Sequence, residues 1–563
     1  MKPWLKVVLL VLLMLALAAG SYFWATGMID SNYAYRSPLK DAPPQPAESL
    51  GEPATDRLVF VLIDALRYDT SLKESVMPTL AHLRQVGASA LMHSQPPSFS
   101  EPGYSTLLTG AWPAINDGPV FNLDYEEIPT FTQDNLFSAA SRAGLETAIS
   151  GYYWFEKLVP QGDVHHSSYT PGEDAAADRE VVDAALVWLK ATDTNLVLVH
   201  IDQVDYAGHH EGGAASPNWD AAAKRSDDLV AEILAAMDLE NETIVVLSDH
   251  GQIDAGGHGG QDPVVLLEPF VIAGKGIKPG TYADIQMVDV APTIAALFGA
   301  NIPASAQGRV LEEMLNLSPQ VSAAIPSVTR DQQSQLLTAY TASVSPNARI
   351  ETPRGSLVSD YQAVIATIRE HRLFSERIWH SAGAAIFLAV ALTLLLRHKK
   401  RGVGGWLLPG LITALLFNLR YAVLDGKVYS LSSIIGVTEL IVYIGVTTAV
   451  SFIIGWLVVA LSRRIFRLSP AAAAEYTLWQ GLTTVLVLFL PVLLSFVLNG
   501  ALVTWTLPDY LTSYLALLGL IQILFVSVLT PILAGLTALI SRVLATSSTR
   551  RNSHAQSQRQ PIR

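Results

Sequence analysis

The sequence predicts an α/β fold, a doubly wound and mostly parallel sheet outside the cytoplasm, joined to an α-helical multispan membrane domain. Three observations predict it. Short apolar runs at 58–63, 195–201 and 243–247 each lead into a carboxylate, and stretches of helical periodicity at 180–190 and 221–237 lie between them. The last third of the chain is a succession of apolar segments long enough to cross a bilayer. A further apolar run covers residues 5–29, behind Lys2 and Lys6.

Composition agrees with this division. Of 563 residues, 50% are hydrophobic and the mean hydropathy is positive, which is high for a soluble enzyme. The 37 basic residues stand against 50 acidic ones, a net charge of −13, and no basic patch with interleaved aromatics occurs. A nucleic-acid partner is therefore not expected. No cysteine is present, so disulfides and thiolate metal sites are excluded, and any metal must sit among Asp and His.

Residues 1–30 read as an uncleaved signal anchor, because the apolar stretch continues through Tyr22, Phe23 and Trp24. Ala16-Leu-Ala18-Ala19-Gly20 offers the alternative of a cleaved signal peptide. Residues 31–54, rich in Pro, Ser, Asp and Glu, read as a linker to a globular domain over 55–317. Inside that domain Met77-Pro78 opens a helix, and Asp289 caps another that passes Ile294 and Phe298 and stops at Gly299. A polar helical stalk, 318–378, leads back to the bilayer. The five-span domain 379–541 divides into segments at 379–396, 404–423, 436–461, 476–499 and 511–541, followed by a tail over 542–563. Arg397 to Arg401, Arg463-Arg464 with Arg467, and Arg542 with Arg550 and Arg551 mark alternate connections as cytoplasmic. The expectation is a multi-pass cell-membrane protein with six spans, both termini in the cytoplasm and the large domain outside. Arg420 and Glu439 fall near outer span ends, where they would snorkel to the interface.

The chemistry gathers at the strand ends. They supply Asp64, then Asp205 and His209, then Asp249 and His250, and a Gly-rich loop adds His258. Taken singly, Asp64 reads as a helix cap, His209 as a turn residue and His258 as a solvated loop residue. Their coincidence at one sheet edge, where ligands of open α/β sheets gather, points instead to two three-ligand metal sites. Two ions ~3.5–4 Å apart suit in-line displacement at phosphorus. Ser100, followed by Glu101 and Pro102 and by Gly110 ten residues on, reads as the N-cap of a helix, its hydroxyl beside free backbone N–H groups that suit phosphate oxygens.

Four ordered motifs resemble the alkaline phosphatase superfamily: Ile63-Asp64-Ala65-Leu66-Arg67-Tyr68-Asp69, Pro96-Pro97 and Ser100 leading to Leu108-Thr109-Gly110, Val204-Asp205 with Gly208-His209, and Asp249-His250-Gly251 leading to Gly257-His258-Gly259-Gly260. They look most like its type I phosphodiesterase and nucleotide pyrophosphatase branch, and within it the GPI ethanolamine phosphate transferases. The resemblance implies an alkaline-phosphatase-like domain and two divalent ions, zinc first and manganese as the other choice. It further implies that Asp205, His209 and His258 hold one ion, that Asp64, Asp249 and His250 hold the other, and that Ser100 is the nucleophile on the latter. An Asn some twenty residues downstream often contacts phosphate in this branch; Asn122 is the nearest, at an imperfect offset. Asp69 and Asp202 are left as structural.

The expected function is that of a membrane-anchored two-metal phosphodiesterase or phosphohydrolase, or a phosphoethanolamine-type transferase, working through a phosphoseryl intermediate. Its partners would be a lipid- or glycan-linked phosphate ester and membrane lipid. Two alternatives stand beside it. A sulfatase would need Cys or Ser, then Pro two on and Arg four on; here Tyr104 occupies the Arg position. A non-catalytic membrane protein with a degenerate phosphatase-like domain would be expected to have lost a ligand, and none is lost.

Overall fold

Along β1 (Arg57–Ile63) every residue is buried, and the side chains alternate between two cores. Leu58, Phe60 and Leu62 join a cluster with Leu107 and Ile294, while Val59, Val61 and Ile63 join another with Val182, Trp219 and Ile233. A strand covered on both faces must lie inside a layered α/β sandwich, which explains why its sequence is continuously apolar. The computed structural model describes residues 2–191, 193–349, 351–397 and 404–557. Among them nine strands form one sheet, in the order β4 (His166–Thr170), β3 (Thr147–Tyr152), β5 (Leu196–Ile201), β1, β6 (Glu242–Leu247), β7 (Leu267–Gly274), β2 (Ala88–His93) and β8 (Gly280–Thr281); β9 (Ile285–Gln286) also pairs with β2.

The sheet is parallel from β4 through β6, whereas β7 runs antiparallel to both its neighbours. The three strands expected from sequence are the adjacent central trio β5, β1 and β6. Register fixes their ends level: Ile63 pairs with Ile201, and Leu62 with Leu247. The residues just beyond, Asp64, Asp202 and Asp249, therefore emerge side by side. Helices Ala175–Ala191 and Pro217–Ala235 cover one face, and Ser100–Thr109 and Val290–Leu297 the other. Asp289 corrects one expectation. Its carboxylate accepts from Gln286 N at 3.0 Å and Arg309 N at 2.9 Å, tying a preceding turn and a distant loop rather than capping the helix it precedes.

Among the described residues, six helices are long and apolar enough to cross a membrane: Pro3–Tyr33, Val358–Leu394, Gly405–Leu424, Val437–Ser462, Pro470–Asn499 and Tyr510–Ser547. The first, fourth, fifth and sixth share an apolar core of Met14, Phe452, Trp456, Leu478, Val485, Leu520 and Val526. Outward positions such as Leu9, Leu12, Ile386, Leu411 and Ile532 stay exposed, as a lipid-facing surface requires. One helix, Val358–Arg397, runs unbroken from the stalk region into the second apolar segment. The basic stretch from His398 to Arg401 lies outside the described residues. Arg420 pairs with Asp425 at 3.4 Å and covers the Tyr443 ring.

The segment expected as a linker is laid against the α/β domain. Arg36 grips Asp117 through two bonds of 2.9 and 2.6 Å, and Tyr35, Leu39 and Leu50 are buried. This pins the end of the first apolar helix to the loop that follows the Ser100 helix.

Candidate active site

Each strand end delivers its ligand-type residue by a short, bonded path. Asp64 follows β1 directly, its backbone N–H donating to Ile201 O at 2.9 Å. Beyond β5 the chain turns at once into the helix Gln203–His210, on which Asp205 and His209 stand one turn apart and so share a face. That turn is anchored by Asp178, which accepts from Asp202 N at 2.8 Å and Gln203 N at 3.1 Å. Beyond β6, Asp249 accepts from Ala65 N at 3.2 Å, locking two strand ends together.

The six expected residues converge. His250 Nε2 stands 3.5 Å from Asp64 Oδ1 and 3.5 Å from Asp249 Oδ2. Opposite, His209 Nε2 stands 3.0 Å from His258 Nε2 and 3.4 Å from Asp205 Oδ2, with His258 Nε2 3.8 Å from Asp205 Oδ1. The two sets adjoin, since the His250 and His258 rings stack at 4.1 Å. Asp205, His250 and His258 also offer atoms within 4.8 Å of one another, so His250 borders both sets.

These residues fit divalent cations. Two donors at ~2.0–2.2 Å from one tetrahedral ion are ~3.3–3.6 Å apart, close to the separations above. Asp64 Oδ1 and Asp249 Oδ2 are buried and have no hydrogen-bond partner, the condition of an acceptor built for a cation. Burial, and then the charge of Asp205, pushes the Asp64 carboxyl up to about 7; burial and the Asp64 charge push Asp249 well above the usual range, and Asp202 likewise. On Asp205 burial acts in the same sense but is outweighed by His209, His258 and His250, which hold it below the usual range. Four carboxylates, Asp64, Asp202, Asp205 and Asp249, crowd together, and divalent cations would offset the mutual repulsion of their ionised forms.

Imidazole orientation follows from the outer bonds. His250 Nδ1 lies 3.0 Å from Gly251 O and His258 Nδ1 lies 3.2 Å from Ser98 O. A proton on each Nδ1 satisfies those carbonyls and leaves both Nε2 lone pairs facing the cluster.

Ser100 is the first residue of its helix, and Phe99 is the N-cap with no side-chain capping bond. This corrects the expectation of a Ser100 cap, and the reason matters for chemistry: the hydroxyl is free of capping duty. Its Oγ lies 3.2 Å from His250 Nε2 and receives a 3.4 Å contact from Asn122 Nδ2. Asn122 is fixed in turn by Glu101 N, which donates to its Oδ1 at 3.1 Å. The imperfect sequence offset of Asn122 is absorbed by the loop over 110–121, which folds back on the helix start.

Several partners were not legible from sequence. Tyr104, one turn after Ser100, donates its hydroxyl to Asp64 Oδ2, and His200 Nε2 lies 2.8 Å from the same hydroxyl and 3.2 Å from Asp64 Oδ2. Gln252 donates to Asp205 Oδ1. Asp202 faces Asp64 and Asp205 within the cluster, closer to the chemistry than a structural reading allowed. The available signals were an imidazole inside the apolar run of β5 and the helical spacing of Tyr104. Asp69 is engaged elsewhere, forked by Arg67 at 2.9 and 2.5 Å.

Comparison with known proteins places this site in a family. The model of the type I phosphodiesterase / nucleotide pyrophosphatase family matches residues 58–351. The GPI ethanolamine phosphate transferase 2 catalytic subunit of Homo sapiens is 28% identical over 297 residues, covering 48% of this chain and 30% of that protein. The GPI ethanolamine phosphate transferase 2 of Eremothecium gossypii is 29% identical over 301 residues, covering 48% of this chain and 37% of its own. The match thus spans about a third of the length of these relatives. A solved alkaline phosphatase superfamily protein from Vibrio parahaemolyticus aligns with a TM-score of 0.38 and 17% identity, covering 52% of this chain and 79% of that one. With the family model matched across more than half of its residues, from the first strand through the whole cluster, the chain belongs to the type I phosphodiesterase / nucleotide pyrophosphatase family of phosphoester hydrolases and transferases.

Proposed function

We propose that the protein is a membrane-bound phosphoethanolamine-type transferase that acts through a covalent phosphoseryl intermediate at Ser100, with phosphodiester hydrolysis as the outcome when water replaces the acceptor. The observation that carries this reading is the Ser100 hydroxyl, 3.2 Å from His250 Nε2 and beside two orphaned carboxylate oxygens. In this reading Asp64, Asp249 and His250 hold one divalent cation, and Asp205, His209 and His258 the other, with zinc the ion their N/O donor set suits best. When bound, the pair supplies Lewis-acid neutralisation of charge on the entering and leaving oxygens and lowers the pKa of the Ser100 hydroxyl.

The chain's own residues do the rest. Ser100 releases its hydroxyl proton to solvent and its Oγ forms the new bond to phosphorus, while the ester bond to the departing alkoxide breaks and that alkoxide takes up a proton from solvent. Asn122 Nδ2 donates to a phosphoryl oxygen and resists its rotation, as an oxyanion donor does. Attack by an acceptor hydroxyl then cleaves the seryl ester, releases the acceptor's proton to solvent and restores Ser100. The buried side of the cluster, Asp64, Asp249 and His250, excludes water. The flank of His209, about a third exposed, is the open approach for leaving group and acceptor.

A lipid-linked substrate is supported by an aromatic wall. Phe99 packs on Phe121 at 5.1 Å, and Phe121 reaches Tyr33 at 5.3 Å and Tyr510 at 6.4 Å, at the ends of the first and sixth apolar helices. An apolar path thus leads from Ser100 toward the bilayer, with the α/β domain on the extracytoplasmic side. The test uses the full-length chain in detergent with a nitrophenyl phosphodiester. Rapid acid quenching and peptide mass spectrometry should find the phosphoryl adduct on Ser100, and an added alcohol should divert product from hydrolysis to transfer. Turnover by Ser100→Ala equal to that of the wild type would refute the reading.

A further inference from the structure

The loop between the third and fourth apolar helices touches the segment that carries His258. Gly260 N donates to Ser432 Oγ at 3.1 Å, Gln261 N to Ser430 Oγ at 3.3 Å, and Gln261 Nε2 to Tyr429 O at 2.8 Å. Ser430 Oγ donates to Asp262 Oδ2 at 2.5 Å. Four bonds over three consecutive residues make a clamp, and all of its serine hydroxyls are buried. The approach is close enough that only glycine fits: a Cβ at Gly260 would overlap Ser430 Oγ, and one at Gly257 would overlap Ser432 O.

The clamp is itself rigid. Tyr421, at the end of the third apolar helix, donates to Val428 O at 2.9 Å and shares a 2.8 Å hydrogen bond with Tyr514 of the sixth. Leu431 is buried in a cluster with Tyr421, Leu440, Tyr510 and Tyr514. On its other side the His258 segment is held by Ser98, whose Oγ donates to Gly260 O at 2.9 Å. His258 therefore stands between the strand-end scaffold of the α/β domain and a loop of the helical bundle.

We propose that Ser430 and Ser432 are positioning residues for the metal site, so that the centre holding Asp205, His209 and His258 is complete only when the helical bundle is docked. This rests on the reading of His258 as a ligand. Residues that orient a ligand from outside the coordination shell change metal affinity by ~10–100-fold when removed.

The test is zinc competition with a chromogenic chelator on the full-length chain in detergent. Ser432→Ala and Ser430→Ala should each weaken one of the two zinc ions by about 10-fold or more and leave the other unchanged. In both variants kcat should fall at sub-saturating zinc and recover at excess zinc, while KM stays put. Ser430→Thr, which keeps the hydroxyl, should restore affinity. Ser433→Ala serves as control, since its hydroxyl donates to Val428 O at 2.8 Å and neighbours Tyr421 rather than bonding the His258 segment. Wild-type affinity in both alanine variants, or equal loss in Ser433→Ala, would overturn the inference while leaving the proposed function intact. A wild-type chain that binds no zinc would overturn the proposed function itself, and this inference with it.

Discussion

Tyr104 lies outside the expected set yet touches it directly. Its hydroxyl donates to Asp64 and meets His200, whose own proton affinity burial lowers to about 4, so the ring remains a neutral partner. Tyr104→Phe removes only that hydroxyl. Metal affinity measured by chelator competition should drop by ~10-fold, with little loss of thermal stability in excess zinc. Asn122→Ala should lower kcat by about 100-fold or more in steady-state assays on the phosphodiester, with a smaller change in KM, because the lost donor acts on charge that grows toward the transition state. The expected residues were legible through coincidence, since Asp64, Asp205 and Asp249 each follow one of three apolar runs and His209, His250 and His258 lie close behind them. Tyr104, His200 and Gln252 were not, because a lone Tyr in a helix or His in a strand has an ordinary packing role until the neighbouring element is known.

At the scale of elements, the central strands were readable and the sheet's edges were not. β5, β1 and β6 are buried on both faces and so are apolar throughout. β4 is half exposed, and its His166-Ser-Ser-Tyr-Thr170 sequence carries no such mark. β7 was hidden for another reason: Glu268 sits fully buried within it, where an apolar run would have been expected. Burial raises the Glu268 carboxyl well above its ordinary range, and Ser94 Oγ donates to it at 2.6 Å. A carboxyl whose pKa is raised on folding holds its proton more tightly folded than unfolded. Its contribution to stability is therefore complete at low pH and is lost as pH rises above the unfolded glutamate value. Glu268→Gln, which keeps an acceptor for Ser94, should raise Tm by ~2–4 °C near neutral pH for each ~1 kcal/mol recovered, and give no gain in acid. Differential scanning calorimetry across pH reads both. The serine clamp on the His258 segment was likewise invisible, since 168 to 172 residues of chain separate its two halves.

Across the whole molecule, the candidate site of the α/β domain packs against a loop of the helical bundle. Removing the ions should destabilise the α/β domain, because ligands that bind only the folded state contribute ~2.7 kcal/mol when present at 100 times Kd. Chelator should therefore lower Tm and abolish turnover together, and zinc should restore both. The division into an α/β domain and six apolar helices was legible because hydropathy changes sharply along the chain. The way the two parts meet was not, since those contacts depend on loop conformation rather than composition. Elemental analysis of the purified protein and of two variants reads the zinc content directly. Two ions per wild-type chain are expected, one lost in Asp249→Ala and the other lost in His209→Ala, each variant keeping its remaining ion. A wild-type chain without zinc, or variants that both retain the full complement, would contradict that expectation.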